Sequence, residues 1–159
     1  MKYKQIINST QIELEKKYPW LAEADFKDAV IEDTPNYIIW KDGTWKRGTW
    51  KCGIWKDGTW KNGYWEGGLW ERGTWKCGIW NMGTWKDGLW KHGIWKDGTW
   101  EKGKWEGGLW ERGTWKRGTW ENGTWKNGTW ECGLWKDGLW RRGLWEGGIG
   151  KDKRGIINK

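Results

Sequence analysis

A tryptophan recurs at every fifth position from Trp40 to Trp145, and this spacing limits what the chain can fold into more than any other feature. The series contains all but one of the 23 tryptophans, since only Trp20 lies outside it. A glycine keeps the same step from Gly43 to Gly148. Each unit therefore reads Trp, usually Lys or Glu, a variable residue, Gly, and most often Thr, Leu or Ile. Any proposed fold must first explain this repeat.

Neither an α-helix nor a single long strand fits a five-residue step. On a helix the step turns each Trp about 140° from the last, and each interior Gly costs about 1 kcal/mol. In a strand, side chains alternate between two faces, so an odd step would send successive tryptophans to opposite sides. A turn must therefore fall within every unit. The repeated Gly supplies it, because Gly accepts positive φ without a steric cost.

Two all-β folds satisfy these constraints. In the first, each unit forms one side of a four-sided β-solenoid, with the Trp and the Gly two residues before it pointing inward. In the second, very short strands and two-residue turns form a meander of hairpins in which neighbouring tryptophans pair. Charge signs alternate at every fourth unit, along Lys46, Glu66, Lys86, Glu106, Lys126 and Glu146. Stacked neighbours on successive four-unit turns would show this alternation, so we expect the solenoid.

Units such as Gly43 to Trp45 and Gly113 to Trp115 resemble the repeat of the pentapeptide-repeat family. That repeat has a large apolar residue at its centre and a small residue two places before it. The resemblance covers residues 40–149 and implies a right-handed four-sided β-solenoid. It also implies a protein partner, because several members of the family bind or inhibit host enzymes by mimicking DNA. The segment from Trp120 to Trp125 is similar to tryptophan-zipper hairpins and to part of the MORN repeat, which would fit the meander.

The chain divides into three segments. We predict a helical N-terminal cap over residues 1–39, a β domain of pentapeptide repeats over 40–149, and a basic C-terminal tail over 150–159. In the cap, Thr10 and Glu13 have the spacing of a capping box at the start of a helix. Apolar residues continue at helix-like spacing after Pro19, at Trp20, Leu21, Ala24, Phe26, Ala29 and Val30.

The repeat tryptophans are the predicted core. Strict periodicity in every unit is what a buried core requires, whereas an exposed stacking platform needs only some of the rings. The predicted core residues include Trp45, Trp65, Trp85, Trp105, Trp125 and Trp145.

Residues suited to catalysis are scarce. Ser9 is the only serine and His92 the only histidine. The three cysteines, Cys52, Cys77 and Cys132, all occupy the variable position and form no CxxC pair. On a four-sided coil Cys52, His92 and Cys132 would share one corner at two-turn intervals, too far apart for one metal ion. We therefore expect no enzyme activity, no metal site and no cofactor.

The formal net charge of +8 favours an anionic partner or surface. On a four-sided coil one column of like charges would repel itself unless a polyanion bound to it. This column contains Lys56, Lys76, Lys96, Lys116 and Lys136. We expect a non-enzymatic repeat scaffold or protein-interaction module, acting as a structural or inhibitory component of a larger assembly. The alternative is an electrostatic nucleic-acid-binding protein that uses this lysine column.

Membrane insertion and secretion are not supported by the sequence. No stretch approaches the length of about 18 apolar residues that a membrane span needs, and the first residues lack the apolar core of a signal peptide. We therefore expect no membrane partner and a cytoplasmic location, with association with a virion as the second option. The N-terminal cap is the expected surface for any homo-oligomer.

Overall fold

The computed structural model describes residues 1–152 and 155–156, which form a β-solenoid preceded by a small mixed cap. The cap and first turn contain β1 (Tyr3–Ile7), α1 (Gln11–Lys17), α2 (Pro19–Glu23), β2 (Asp25–Asp33) and β3 (Ile38–Arg47). Strands β4 to β23 are two residues long and recur at every unit from Thr49–Trp50 to Leu144–Trp145, each ending on a repeat Trp. Strands β24 (Ile149–Asp152) and β25 (Gly155–Ile156) then pair antiparallel.

Each turn of the solenoid takes three repeat units. Every repeat strand pairs in parallel with the strand three units further on, so Trp80 lies beside Trp95 and Trp95 beside Trp110. Seven such steps lead from Trp40 to Trp145. The parallel pairing confirms the predicted solenoid and contradicts the hairpin meander. The prediction of four sides was wrong, because the coil has three.

Ring packing explains why the coil has three sides, and a duplication in the sequence explains why the charge pattern indicated four. Three indole rings already close the interior, since consecutive tryptophans meet edge to face, as Trp80 and Trp85 do with ring centroids 6.0 Å apart at 73°. The alternation of charge at every fourth unit does not reflect stacking. It follows from a longer repeat in the sequence, in which residues 65–76 recur unchanged at 105–116.

Glycine forms every corner of the coil. The repeat glycines all have positive φ, between 97° and 131°, which confirms a turn within each unit. Several corners are tightened by the preceding side chain, as where the Gly58 N–H donates to Asp57 Oδ1 at 2.7 Å. Between corners the backbone pairs from turn to turn. The Lys76 N–H donates to the Trp60 carbonyl oxygen at 2.8 Å, and such bonds recur along the whole solenoid.

The repeat tryptophans fill the interior completely. Those from Trp40 to Trp130 are 0% exposed, and exposure rises only to 8% at Trp145, at the far end. Rings on successive turns stack nearly parallel, as Trp85 and Trp100 do with centroids 4.8 Å apart and planes 5° apart. All six tryptophans named as predicted core residues lie in this interior. The three stacked columns therefore form one continuous aromatic core.

This core leaves its indole N–H groups without acceptors. The Nε1 atoms of the repeat tryptophans from Trp40 to Trp135 are buried and make no hydrogen bond. The neighbouring backbone carbonyls already accept bonds from the adjacent turn. An unsatisfied buried donor costs about 1–3 kcal/mol. Ring stacking and edge-to-face packing must offset this cost in every turn, so shape complementarity holds the core together.

The cap closes the N-terminal end of the solenoid. Strand β3 belongs to both parts, because it pairs antiparallel with β2 and in parallel with the second turn. Phe26 stacks on Trp45 with centroids 5.7 Å apart and planes 14° apart, in the place that an earlier turn would fill. Trp20 meets the ring of Trp50 edge to face at 4.9 Å. The first layer of tryptophans is therefore covered.

Only part of the cap is helical. The predicted capping box is present, with the Glu13 N–H donating to Thr10 Oγ1 and the Thr10 N–H donating to Glu13 Oε2. The predicted helical character of residues 25–33 was wrong, because this segment is strand β2. Phe26 and Ala29 are three positions apart and both buried because Asp28, with φ of 55°, lies in an irregularity of the strand pairing. A bulge thus produced a helix-like spacing in a strand.

Half of the predicted basic tail lies outside the described residues. Residues 153, 154 and 157–159 fall outside the described residues, and the tail thus stays a prediction. The proposed domain boundary between residues 39 and 40 also stays a prediction. Strand β3 runs across it.

Candidate functional site

The exterior of the solenoid consists of columns of side chains that repeat once per three-unit turn. The residue after each Trp points outward at one of three edges. Edge 1 carries Lys41, Lys56, Glu71, Lys86, Glu101, Lys116, Glu131 and Glu146. Edge 2 carries Lys46, Lys61, Lys76, Lys91, Glu106, Glu121 and Lys136. Edge 3 carries Lys51, Glu66, Asn81, Lys96, Glu111, Lys126 and Arg141.

The predicted lysine column does not exist on a three-sided coil. Lys56 and Lys116 lie on edge 1, Lys76 and Lys136 on edge 2, and Lys96 on edge 3. That placement was wrong because it stepped by four units where the chain steps by three. Binding of a polyanion by any of the five lysines stays a prediction.

A different like-charge column is present on edge 2. Four lysines follow one another on successive turns, and we call them the lysine ladder: Lys46, Lys61, Lys76 and Lys91. Lys46 contacts Asp25 of the cap at 3.4 Å. Within the part of the chain that the structure describes, the other three make no ion pair. Like charges on adjacent strands destabilise each other, so Lys61, Lys76 and Lys91 form the uncompensated positive part of the ladder.

The columns beside the lysine ladder contain no carboxylate on the same turns. On one side lie Thr44, Thr59, Thr74 and Leu89, and on the other Arg47, Asn62, Cys77 and His92, followed by Thr49, Tyr64, Ile79 and Ile94. The positive potential of the ladder is therefore not cancelled by its nearest neighbours along these columns.

Some of the charges elsewhere on the surface are paired across turns. Arg72 Nε lies 2.9 Å from Asp57 Oδ2, and Arg112 Nε lies 2.9 Å from Asp97 Oδ2. Further along edge 2, Lys136 Nζ lies 3.1 Å from Glu121 Oε1, and this hydrogen bond lowers the pKa of Glu121. With four lysines in succession, the ladder is the longest run of like charge on the three edges.

An apolar groove runs beside the ladder. It is a shallow, open depression with a volume of about 550 Å³, lined by Cys77, Ile79, His92, Ile94 and Leu109, with corner glycines between them. Two of the four ladder lysines lie three residues before a groove residue, Lys76 before Ile79 and Lys91 before Ile94, whereas Leu109 follows Glu106. Ladder and groove therefore run side by side along the axis.

Gly107 follows His92 on the next turn, beside this groove. It occupies the variable position, its φ is not in the positive region, and an added Cβ would meet no atom closer than 3.7 Å. The fold therefore does not require glycine there. The missing side chain lies next to His92, whose Nδ1 would be 3.9 Å from that Cβ.

Catalytic and metal-ligating groups do not converge. Cys52, His92 and Cys132 lie at three different corners, so their predicted shared corner was wrong; His92 instead follows Cys77 on the next turn. All three cysteines are free and exposed. Across the described residues, no cluster of three or more His, Cys, Asp or Glu side chains has the geometry to hold a metal ion.

No described helix has both the length and the apolar character needed to span a bilayer. Comparison with known proteins adds no identity, because no family model, curated protein or solved structure matches the chain. The class of protein is therefore defined by the fold alone, as a β-solenoid built from five-residue, Trp-centred repeats.

The lysine ladder and the groove can be recognised in the sequence only when the units are aligned three to a turn. When every fourth unit is aligned, the four ladder lysines fall in four different columns. When every third unit is aligned, the run from Lys46 to Lys91 and the apolar run Ile79, Ile94 and Leu109 stand out. The number of units per turn was the missing information.

Proposed function

We propose that this protein is a non-catalytic interaction module, a rigid three-sided variant of the pentapeptide-repeat architecture that binds a protein partner through its exterior edges. One observation carries the proposal. The repeat tryptophans are all buried in the core, while the exterior holds side chains in fixed columns, and in one column three successive lysines, Lys61, Lys76 and Lys91, follow one another and lie beside an apolar groove. We propose no reaction for it.

The rigidity of the scaffold supports this role. Successive turns are locked by backbone hydrogen bonds and by stacked rings, so an edge column is preorganised along the axis. Preorganisation lowers the entropic cost of binding an extended partner. A structural or inhibitory part in a larger assembly, a cytoplasmic location and self-association through the cap remain predictions that belong to this proposal.

Capture by the full chain tests the function. The immobilised protein is incubated with nuclease-treated lysate of its source cell, and bound proteins are identified by mass spectrometry. The control is Gly98→Ala, which disrupts a corner of the fold. We expect a protein that the native chain retains and the control loses. Capture of the same proteins by both chains, or of none, would overturn the proposal.

A nucleic-acid partner is the second candidate, because the lysine ladder favours any anionic polymer. The composition of the ladder and of the columns beside it makes nucleic acid the weaker candidate. The strip contains lysine rather than the arginine preferred for base readout, and the columns named beside it hold two aromatic rings, those of Tyr64 and His92. A gel shift at low salt, with and without Lys61→Gln, Lys76→Gln and Lys91→Gln, decides whether the ladder binds polynucleotide.

A further inference from the structure

We propose that the lysine ladder and the apolar groove form one binding site, and that its ligand is an extended acidic polypeptide segment with aliphatic side chains. The inference rests on the proposed function and specifies the surface and the chemistry of the partner. It comes from the juxtaposition of Lys76 and Lys91 with Ile79 and Ile94 along the same side of the coil.

The charge of the partner follows from the ladder. Lys61, Lys76 and Lys91 lie on adjacent turns, about 4.8 Å apart by strand spacing, and the described residues offer them no carboxylate partner. An extended chain places alternate side chains about 6.8 Å apart. The flexible lysine stems can absorb this difference. Two or three carboxylates on one side of the partner would therefore relieve the repulsion within the ladder.

The apolar part of the partner follows from the groove. Its lining is aliphatic, with Ile79, Ile94 and Leu109 on three successive turns, and the corner glycines between them carry no side chains. Such a surface accepts Leu, Ile or Val side chains. Among these lining residues His92 is the one ring on which a nucleobase could stack.

The direction of binding follows from both features. The ladder and the groove are parallel to the solenoid axis, and they overlap over the turns that contain Lys76 and Lys91. A ligand lying along the axis contacts both at once. A ligand lying across the axis would leave the ladder for the mixed charges of the next edge, which carries both Glu66 and Lys96.

Defined peptides test the site. Fluorescence anisotropy measures binding of the full chain to a labelled peptide of alternating glutamate and leucine, a second of alternating glutamate and serine, and a single-stranded oligonucleotide of equal charge. We expect the glutamate–leucine peptide to bind roughly tenfold more tightly than the glutamate–serine peptide, because its leucines enter the groove. Its affinity should also fall as salt is added.

Two variants separate the contributions of charge and groove. Lys61→Gln with Lys76→Gln and Lys91→Gln should weaken binding of both acidic peptides by roughly tenfold or more. Ile79→Thr with Ile94→Thr should abolish only the preference for leucine, and Thr already occupies the equivalent position in many repeats. The matched control is Lys56→Gln with Lys86→Gln and Lys116→Gln, which removes three charges from edge 1, where glutamates alternate with them. It should change affinity by less than about twofold.

Several outcomes would overturn the site. These are equal binding of the two acidic peptides, equal losses in the ladder variant and the edge 1 control, or oligonucleotide binding as tight as that of the glutamate–leucine peptide. Tryptophan emission of each variant reports whether the core is intact. If the ladder variant still captures a protein from lysate, the proposed scaffold function is supported and the proposed binding site is contradicted. If neither assay shows binding, both fall.

Discussion

Gly58 packs directly against the carbonyl oxygen of Gly43 on the preceding turn, and a Cβ added to Gly58 would lie 2.5 Å from that oxygen. The same relationship recurs between corner glycines on adjacent turns along the coil. Glycine is thus required at each corner for two independent reasons. The backbone has positive φ, and the adjacent turn leaves no room for a side chain.

Gly98→Ala should therefore destabilise the protein strongly. Gly98 has φ of +121°, and a Cβ there would collide with the Gly83 carbonyl oxygen. We expect a loss of at least about 2 kcal/mol in the free energy of unfolding, measured by urea denaturation. Gly107→Ala is the control, because its Cβ fits, and its effect should stay within about 0.5 kcal/mol. Similar losses for the two variants would contradict this account of the corners.

Truncation of a tryptophan should cost more in the middle of the stack than at its end. Trp85 lies between Trp70 at 4.7 Å and Trp100 at 4.8 Å, whereas Trp145 stacks on Trp130 alone at 4.9 Å. We expect Trp85→Ala to lower the free energy of unfolding by about 3–5 kcal/mol, and Trp145→Ala by less than about 2 kcal/mol. Equal losses in chemical denaturation would mean that the end of the solenoid is packed as tightly as its centre.

The capping box of α1 should weaken in acid. The pKa of Glu13 is lowered, first by the hydrogen bond from the Thr10 N–H and then by the one from its hydroxyl. A lowered pKa in the folded state means that the contribution is present above the unfolded pKa and is lost as pH falls through the folded value. An NMR titration should place the pKa of Glu13 below 4.5. Thr10→Ala should raise it part of the way, since the backbone N–H remains; an unchanged value would show that the hydroxyl has no role.

The core could be predicted from the sequence because its signal is local. Any coil built from whole five-residue units points Trp85 inward and places a turn at Gly88, whatever the number of sides. The number of sides is not local, because three or four units per turn satisfy the same pattern. It depends on how indole rings close the interior, and the longer duplication of residues 65–76 at 105–116 produced a charge pattern typical of four sides.

The predicted lysine column was wrong because it assumed four units per turn. The predicted helix over residues 25–33 was wrong for another reason. The ladder through Lys61 and Lys76 becomes visible only when the step is known to be three units. In the cap, the bulge at Asp28 placed Phe26 and Ala29 on one face of a strand at a spacing typical of a helix. Pairing with β3 overrides that local pattern, and it cannot be read from residues 25–33 alone.

A single engineered disulfide distinguishes three sides from four. Cys77 and His92 occupy the same corner on adjacent turns, and the His92 N–H donates to the carbonyl oxygen of Lys76 at 3.1 Å. Adjacent turns are about 4.8 Å apart, within the range of Cα separations that a disulfide spans. With Cys52 and Cys132 replaced by serine, His92→Cys should therefore form an intramolecular disulfide with Cys77 under mild oxidation, seen as a cross-linked peptide by mass spectrometry.

Asp97→Cys in the same background is the control, because it lies four units beyond Cys77, where a four-sided coil would stack the two. On the three-sided coil Asp97 is at a different corner, paired with Arg112 at 2.9 Å. We expect no intramolecular disulfide from this variant at protein concentrations low enough to prevent dimers. A disulfide in Asp97→Cys but not in His92→Cys would restore four units per turn. The lysine ladder would then have to be abandoned with the three-sided coil, because its members would no longer be neighbours.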